Sequence, residues 1–459
     1  MTNDDTKILE ILNSSDSDLK IDTLFNIQSE SLSEEVLIKI VQLISEDDKG
    51  VVNAAANLLS FNGSPQIPYL LVPLVTSETI SLRNLAGEIL LKIGDGAITA
   101  MIQFLPKGNN DDLKFIIDLL GLIANPQANH AILDVFYKNE NENVLLACIE
   151  AFGNLKCTEA LSHLFVIYEQ NELFKPTIIE AIGKIGSKEG LDFIIKKYHE
   201  EEELTKFSIV ESLGLIGNEE TFFFLLSELS NTSGALTWPF LGSIYALKEK
   251  FNFDIPFDER MKNSILETLF DADIKYKKVA AYLVMIFNDP DIILAALNVF
   301  GQDFELDETL KPKFIENSKL ILSKVHSTIN QMPKNLLPLL NLLRELVEED
   351  HHINEELSPL ELRNLTDSIS NCFKHPDEEV RQVAIDLIFA IDPKMGLLFI
   401  DIILDDDNMW NRLRLLDILE MVQLPEANEA LQKLAEDPEE MINERAKEIL
   451  STRTASSGN

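Results

Sequence analysis

Five carboxylates, Glu88, Asp118, Glu150, Glu180 and Glu211, recur at intervals of 30 to 32 residues. Carboxylates held at one register can form an acidic ridge that contacts a basic partner. They can equally solvate a helix or meet nearby Arg and Lys, which is what a purely structural role would need. The other reactive side chains are not organised in this way. His351 and His352 follow Glu348, Glu349 and Asp350, types that could ligate zinc or a hard cation, but adjacent side chains on a helix point about 100° apart, so a solvated loop is expected. Cys148, Cys157 and Cys372 are too few and too unevenly spaced for a disulfide framework or a zinc site, and buried thiols are expected. No phosphate-cradling glycine loop, H-E-x-x-H or G-x-S-x-G sequence occurs. The chain is therefore expected to hold no catalytic residue, metal or cofactor. The acidic runs His199–Glu203 and Asp405–Asp407 are expected to be loops.

Composition narrows the partner class. The formal charge of the 459 residues is −38, from 77 acidic and 39 basic side chains. A field of that sign repels phosphate backbones and anionic lipid headgroups, so nucleic acid and membrane surfaces are disfavoured as ligands. The N-terminus has no basic region followed by an apolar run, and no stretch approaches about 18 apolar residues, so a cytoplasmic protein is expected. At 46% hydrophobic residues the chain has enough apolar side chain to bury a continuous core.

The elements that must position the carboxylates are repeats. Phe61, Ile93, Ile123, Leu155, Ile185 and Ile216 form an apolar column with intervals of 30 to 32 residues, a period that means stacked helical hairpins. In each unit the first helix carries a stripe such as Leu161, Leu164, Phe165 and Tyr168, or Leu191, Ile194, Ile195 and Tyr198. The second carries Ile149, Phe152 and Leu155, then Ile178, Ile182 and Ile185. Each carboxylate precedes its column residue by five. Gly121, Gly153, Gly183 and Gly214 precede it by two, inside a helix, where Gly costs about 1 kcal/mol relative to Ala; close approach of neighbouring hairpins would explain them. Gly94, Gly186 and Gly217 follow the last apolar residue, where a left-handed cap prefers Gly. Arg83, Lys175, Lys206, Arg381 and Arg412 stand ten before the column and are expected to pair with loop carboxylates of neighbouring units. Three consecutive phenylalanines, Phe222 to Phe224, cannot all share one narrow stripe. The core is the default place for them and for Trp238 and Trp410, and an exposed Phe223 would serve as an interaction anchor.

The phrases EAIGKIGS and ESLGLIGN resemble the short HEAT-like repeats first described in phycobilisome lyases, whose units end in an A-L-G-x-I-G-D type phrase. EAFGNLKC lacks the second Gly and LLGLIANP has Ala124 there. The resemblance covers at least residues 50 to 230. It implies an all-α fold, a right-handed α-α superhelix of stacked hairpins. It also implies that the second helices line a concave face and that the source is bacterial. Residues 1–50 are expected to be capping helices, with Ser33 as an N-cap, and 51–230 regular repeats. Irregular, longer helices are expected over 231–370, repeats again over 371–452, and a disordered tail over 453–459. The function implied is a non-catalytic scaffold or adaptor in a regulatory or signalling assembly, binding a protein, basic in character, on the concave face. The alternative is a lyase-type enzyme acting on a protein-bound cofactor. HEAT-like diiron hydroxylases need several His-Glu pairs, and His199–Glu200 is the only one.

Overall fold

The computed structural model describes residues 3–27, 32–349 and 356–457. Its elements are helices, with no strand among the described residues. The fold is all-α, built of stacked helical hairpins, as the 31-residue period requires. Two compact units divide the chain, Met1–Leu225 and Leu226–Asn459.

In the first unit the second helices of successive hairpins are α1 (Lys49–Phe61), α2 (Ile80–Ile93), α3 (Asn110–Ile123), α4 (Glu142–Asn154), α5 (Lys175–Ile185) and α6 (Glu203–Ile216). Each lies beside the next. Side-chain oxygens set several starts. Asp48 accepts from the amides of Gly50 and Val51, and Asn141 from those of Asn143 and Val144. Asn109 and Asp112 form a reciprocal capping box. Ser33 occupies the N-cap position of Glu34–Leu43, but its hydroxyl does not bond the helix amides. Leu161, Leu164, Tyr168, Leu191, Ile194 and Tyr198 are buried from the first helices, and Ile149, Phe152, Ile178, Ile182, Ile209 and Leu213 from the second. Phe61 departs from its column. At 73% exposed, it ends α1 outside the core.

The in-helix glycines mark backbone contact. A Cβ on Gly121 would stand 3.1 Å from Ala151 Cα, one on Gly153 2.9 Å from Ala181 Cα, and one on Gly183 2.7 Å from Ser212 Oγ. Neighbouring second helices therefore meet at small residues in a fixed register. Of the three expected left-handed caps, Gly94 (φ +64°) and Gly186 (φ +75°) have positive φ. Gly217 does not: its φ is −61°, and Gly is needed there for space, since a Cβ would fall 2.4 Å from Leu213 O.

In the second unit the corresponding helices are α7 (Thr237–Phe251), α8 (Ile274–Ile286), α9 (Phe304–Glu316), α10 (Leu336–Glu349), α11 (Glu378–Ile391), α12 (Met409–Met421) and α13 (Glu440–Ser457). Helix α13 extends into the segment expected to be a tail, and Arg453 anchors it. The guanidinium donates to the carbonyls of Leu419, Glu420 and Val422 and to Asn428 Oδ1, satisfying the C-terminal end of α12.

A cation near the start of a second helix grips a carboxylate just before or at the start of the next. Lys175 reaches Glu201 at 3.1 Å, Arg381 reaches Asp406 through two 2.9 Å bonds, and Arg412 reaches Asp437 at 2.8 and 3.2 Å. Lys20 to Glu46 (2.9 Å) and Lys278 to Asp303 (3.0 Å) extend the pattern to places where no column was read. The acceptors lie where the helix dipole favours negative charge. Both acidic runs read as loops supply one, Glu201 and Asp406. Arg83 and Lys206 depart from the expected ladder: Arg83 donates to Asp111 O and lies over Phe115, while Lys206 lies over the Tyr198 ring.

Candidate functional site

The five periodic carboxylates all stand on the second helices of the first unit. Glu88, Glu150 and Glu180 are exposed, and Asp118 and Glu211 are half-buried. The register fixed by the glycine contacts places them in one row. Asp118 is three residues before Gly121 and Glu150 one before Ala151, its contact; Glu150 is three before Gly153 and Glu180 one before Ala181. Interaxial distances of about 8–10 Å between packed helices then set the pitch of the row. Two members have cations on their own helix, Lys114 to Asp118 at 2.7 Å and Lys184 to Glu180 at 2.8 Å, both at i,i+4 spacing. Such exposed pairs are worth only about 0.3–0.5 kcal/mol, so they leave the carboxylates available.

The row is flanked by apolar side chains that sequence reasoning missed. Residues four after or seven before a helical carboxylate share its face. At these offsets lie Leu122 and Leu215 on one side and Leu173 and Leu204 on the other, all exposed. The signal was present: each is a leucine outside the buried stripe of its own helix. Phe223 is 57% exposed, Phe222 is buried, and Phe224 packs edge-on against Tyr198, so the three phenylalanines divide as their spacing demands. Trp410 is also exposed, not in the core.

The same offset in the second unit has a different fate. Asp386, five before Ile391, is almost enclosed and accepts from Arg414 Nε at 2.8 Å and Arg344 Nη1 at 3.4 Å. There the carboxylate is an internal counter-ion.

No group of three or more His, Cys, Asp and Glu side chains is disposed to hold a metal among the described residues. Asp350, His351 and His352 lie outside them. The three thiols are buried, and burial pushes Cys148 up to about 12 and Cys157 and Cys372 up to about 11, far from a reactive thiolate. Among the described residues no helix is long and apolar enough to cross a membrane.

No protein-family model matches the chain and no curated protein matches it. Among solved structures, a homology model of the full-length AP-3 complex in an intermediate open conformation is similar at 15% identity, over 97% of this chain and 90% of that one, with a TM-score of 0.32. Importin beta, crystallised in a polyethylene glycol condition, is similar at 12% identity over 97% and 77%, with a TM-score of 0.43. Kap121p bound to Pho4p is similar at 12% identity over 98% and 60%, with a TM-score of 0.38. Likeness at this level implies no partner or activity for this chain.

Proposed function

We propose that the chain is a non-catalytic protein-binding scaffold or adaptor whose first unit receives a basic segment of a protein partner across the second-helix face. Its site is the row Glu88, Asp118, Glu150, Glu180 and Glu211. The observation that carries this reading is the row's combination of regular pitch, exposure and flanking leucines. Charge at the centre selects Lys and Arg, and the exposed Leu122, Leu173, Leu204 and Leu215 add apolar contact. A chain of formal charge −38 also favours approach of a basic partner and disfavours nucleic acid or an anionic membrane. A cytoplasmic regulatory or signalling assembly in a bacterium is the setting this reading takes.

The test is affinity purification from the native cell with mass spectrometry, comparing the wild type with a Glu150→Lys, Glu180→Lys, Glu211→Lys variant of matched thermal stability. Specific partners should be lost from the variant and should carry a basic segment. An unchanged partner set removes the row from consideration.

A further inference from the structure

The second unit contains a cleft of about 590 Å³ between α10, α11 and α12. Its apolar side is built by buried Phe389, half-buried Ile418 and the side chain of Met421, which is 80% exposed. Methionine is adaptable, and Met and Arg are both enriched where proteins dock.

The polar side has more donors than acceptors. Asp386 alone faces two guanidinium groups, and a single carboxylate can hold only one of them in a bidentate fork. Arg414 takes the short bond and Arg344 the long one. Arg344 Nε has no hydrogen-bond partner, and the nearby Glu348 oxygen stands 3.9 Å away. Lys394 also lines the cleft, and its ammonium makes no ion pair among the described residues. Asp392, on the same rim, is occupied as a helix N-cap by the Lys394 amide at 2.8 Å. In a chain with twice as many acids as bases, cations left with open donors around an apolar floor are an exception to be explained.

We infer that this cleft docks a partner segment in which a Glu or Asp side chain stands beside an apolar residue. The carboxylate takes the Nη donors of Arg344 and Arg414 that Asp386 leaves open, with Lys394 at the rim. The neighbouring apolar side chain lies against Phe389 and Met421. This site is separate from the acidic row in residues, in unit and in the sign of charge it recognises.

The experiment uses the full chain labelled with [13C]methyl-methionine, with the Met421 resonance identified from a Met421→Leu variant. It is titrated with the blocked peptide acetyl-Ala-Leu-Glu-Leu-Ala-amide, with the same peptide carrying Gln in place of Glu, and with acetyl-leucine, which offers only a chain-end carboxylate. A saturable shift of Met421 with the Glu peptide, at least about tenfold weaker with the Gln peptide, is expected, a difference of about 1.4 kcal/mol. Lys394→Gln, at the rim and outside the Asp386 pairing, should weaken the Glu peptide several-fold while leaving the thermal midpoint in place. Equal shifts with Glu and Gln, no saturable shift, or a response to acetyl-leucine alone would overturn the assignment. The wild-type comparison depends on no variant, and its outcome is independent of whether the first unit binds a basic partner.

Discussion

Arg381 and Asp406 are joined by two 2.9 Å bonds across neighbouring hairpins, and Arg412 and Asp437 repeat the contact 31 residues later. Asp406 is further held by the Asn408 amide at 2.9 Å and by Asn411 Nδ2 at 3.1 Å. Removing it leaves a nearly enclosed guanidinium with only the exposed Asp407 and a backbone carbonyl. Asp406→Ala should therefore destabilise the second unit by about 3 kcal/mol, measured by denaturant unfolding. Replacing Arg381 and Asp406 together by Met and Leu should cost less than the single change.

The same contacts give a direction to acid sensitivity. Burial works to raise Asp406 and Asp437, but the arginines and amides outweigh it, and both carboxyls lie below the ordinary value of 3.8. A carboxyl depressed in the folded state adds stability that is complete above its unfolded value and disappears as pH falls through the folded one. Unfolding free energy should thus be level above about pH 5 with respect to these two groups and fall on the acid side of 3.8. An Asp406→Asn, Asp437→Asn variant should show a shallower acid slope.

Glycine at the helix contacts should resist even alanine. Ala improves helix propensity by about 1 kcal/mol, yet a Cβ at 153 or 183 meets the neighbouring helix at under 3 Å. Gly153→Ala and Gly183→Ala should lower stability by about 1–3 kcal/mol, the usual range for overpacking. Gly94→Ala, with open space but φ +64°, should cost about 1 kcal/mol for backbone reasons alone. Thermal unfolding of the three variants checks the order.

The lysines beside the row are a separate matter. Lys114→Ala with Lys184→Ala should change stability by under about 1 kcal/mol, since both pairs are exposed. The same change should strengthen binding of a lysine-rich peptide to the full chain, read by fluorescence anisotropy. Weaker binding would count against the row.

Arg453→Ala should loosen the last hairpin by about 2 kcal/mol, because several bonds from one charged group to helix-end carbonyls are lost. Hydrogen exchange confined to residues of α12 and α13 is the readout.

The fold was legible in the sequence because its determinants repeat: an apolar column, small residues at contacts, and caps at fixed offsets. The exceptions have local causes. Phe61 was taken into the apolar column by interval alone, and it ends its helix on the exposed side. Gly217 was read as a left-handed cap because Gly serves two purposes, space and φ, that look alike in sequence. Arg83 and Lys206 kept the ladder position but met an aromatic ring. The partly enclosed Asp386 could not be distinguished from Glu150 by offset, since the difference lies in Arg344 and Arg414, which come from helices 42 residues before it and 28 after it.

The contacts of Gly121, Gly153 and Gly183 bring main chain against small residues, so little side chain remains that could be compressed or repacked between α3, α4, α5 and α6. The spacing of the row thereby becomes a ruler graduated by backbone thickness. A basic segment laid across it would have to present one cation per 8–10 Å, about three residues of extended chain. Lysines clustered more closely would leave graduations unmet, and sparser ones would skip them.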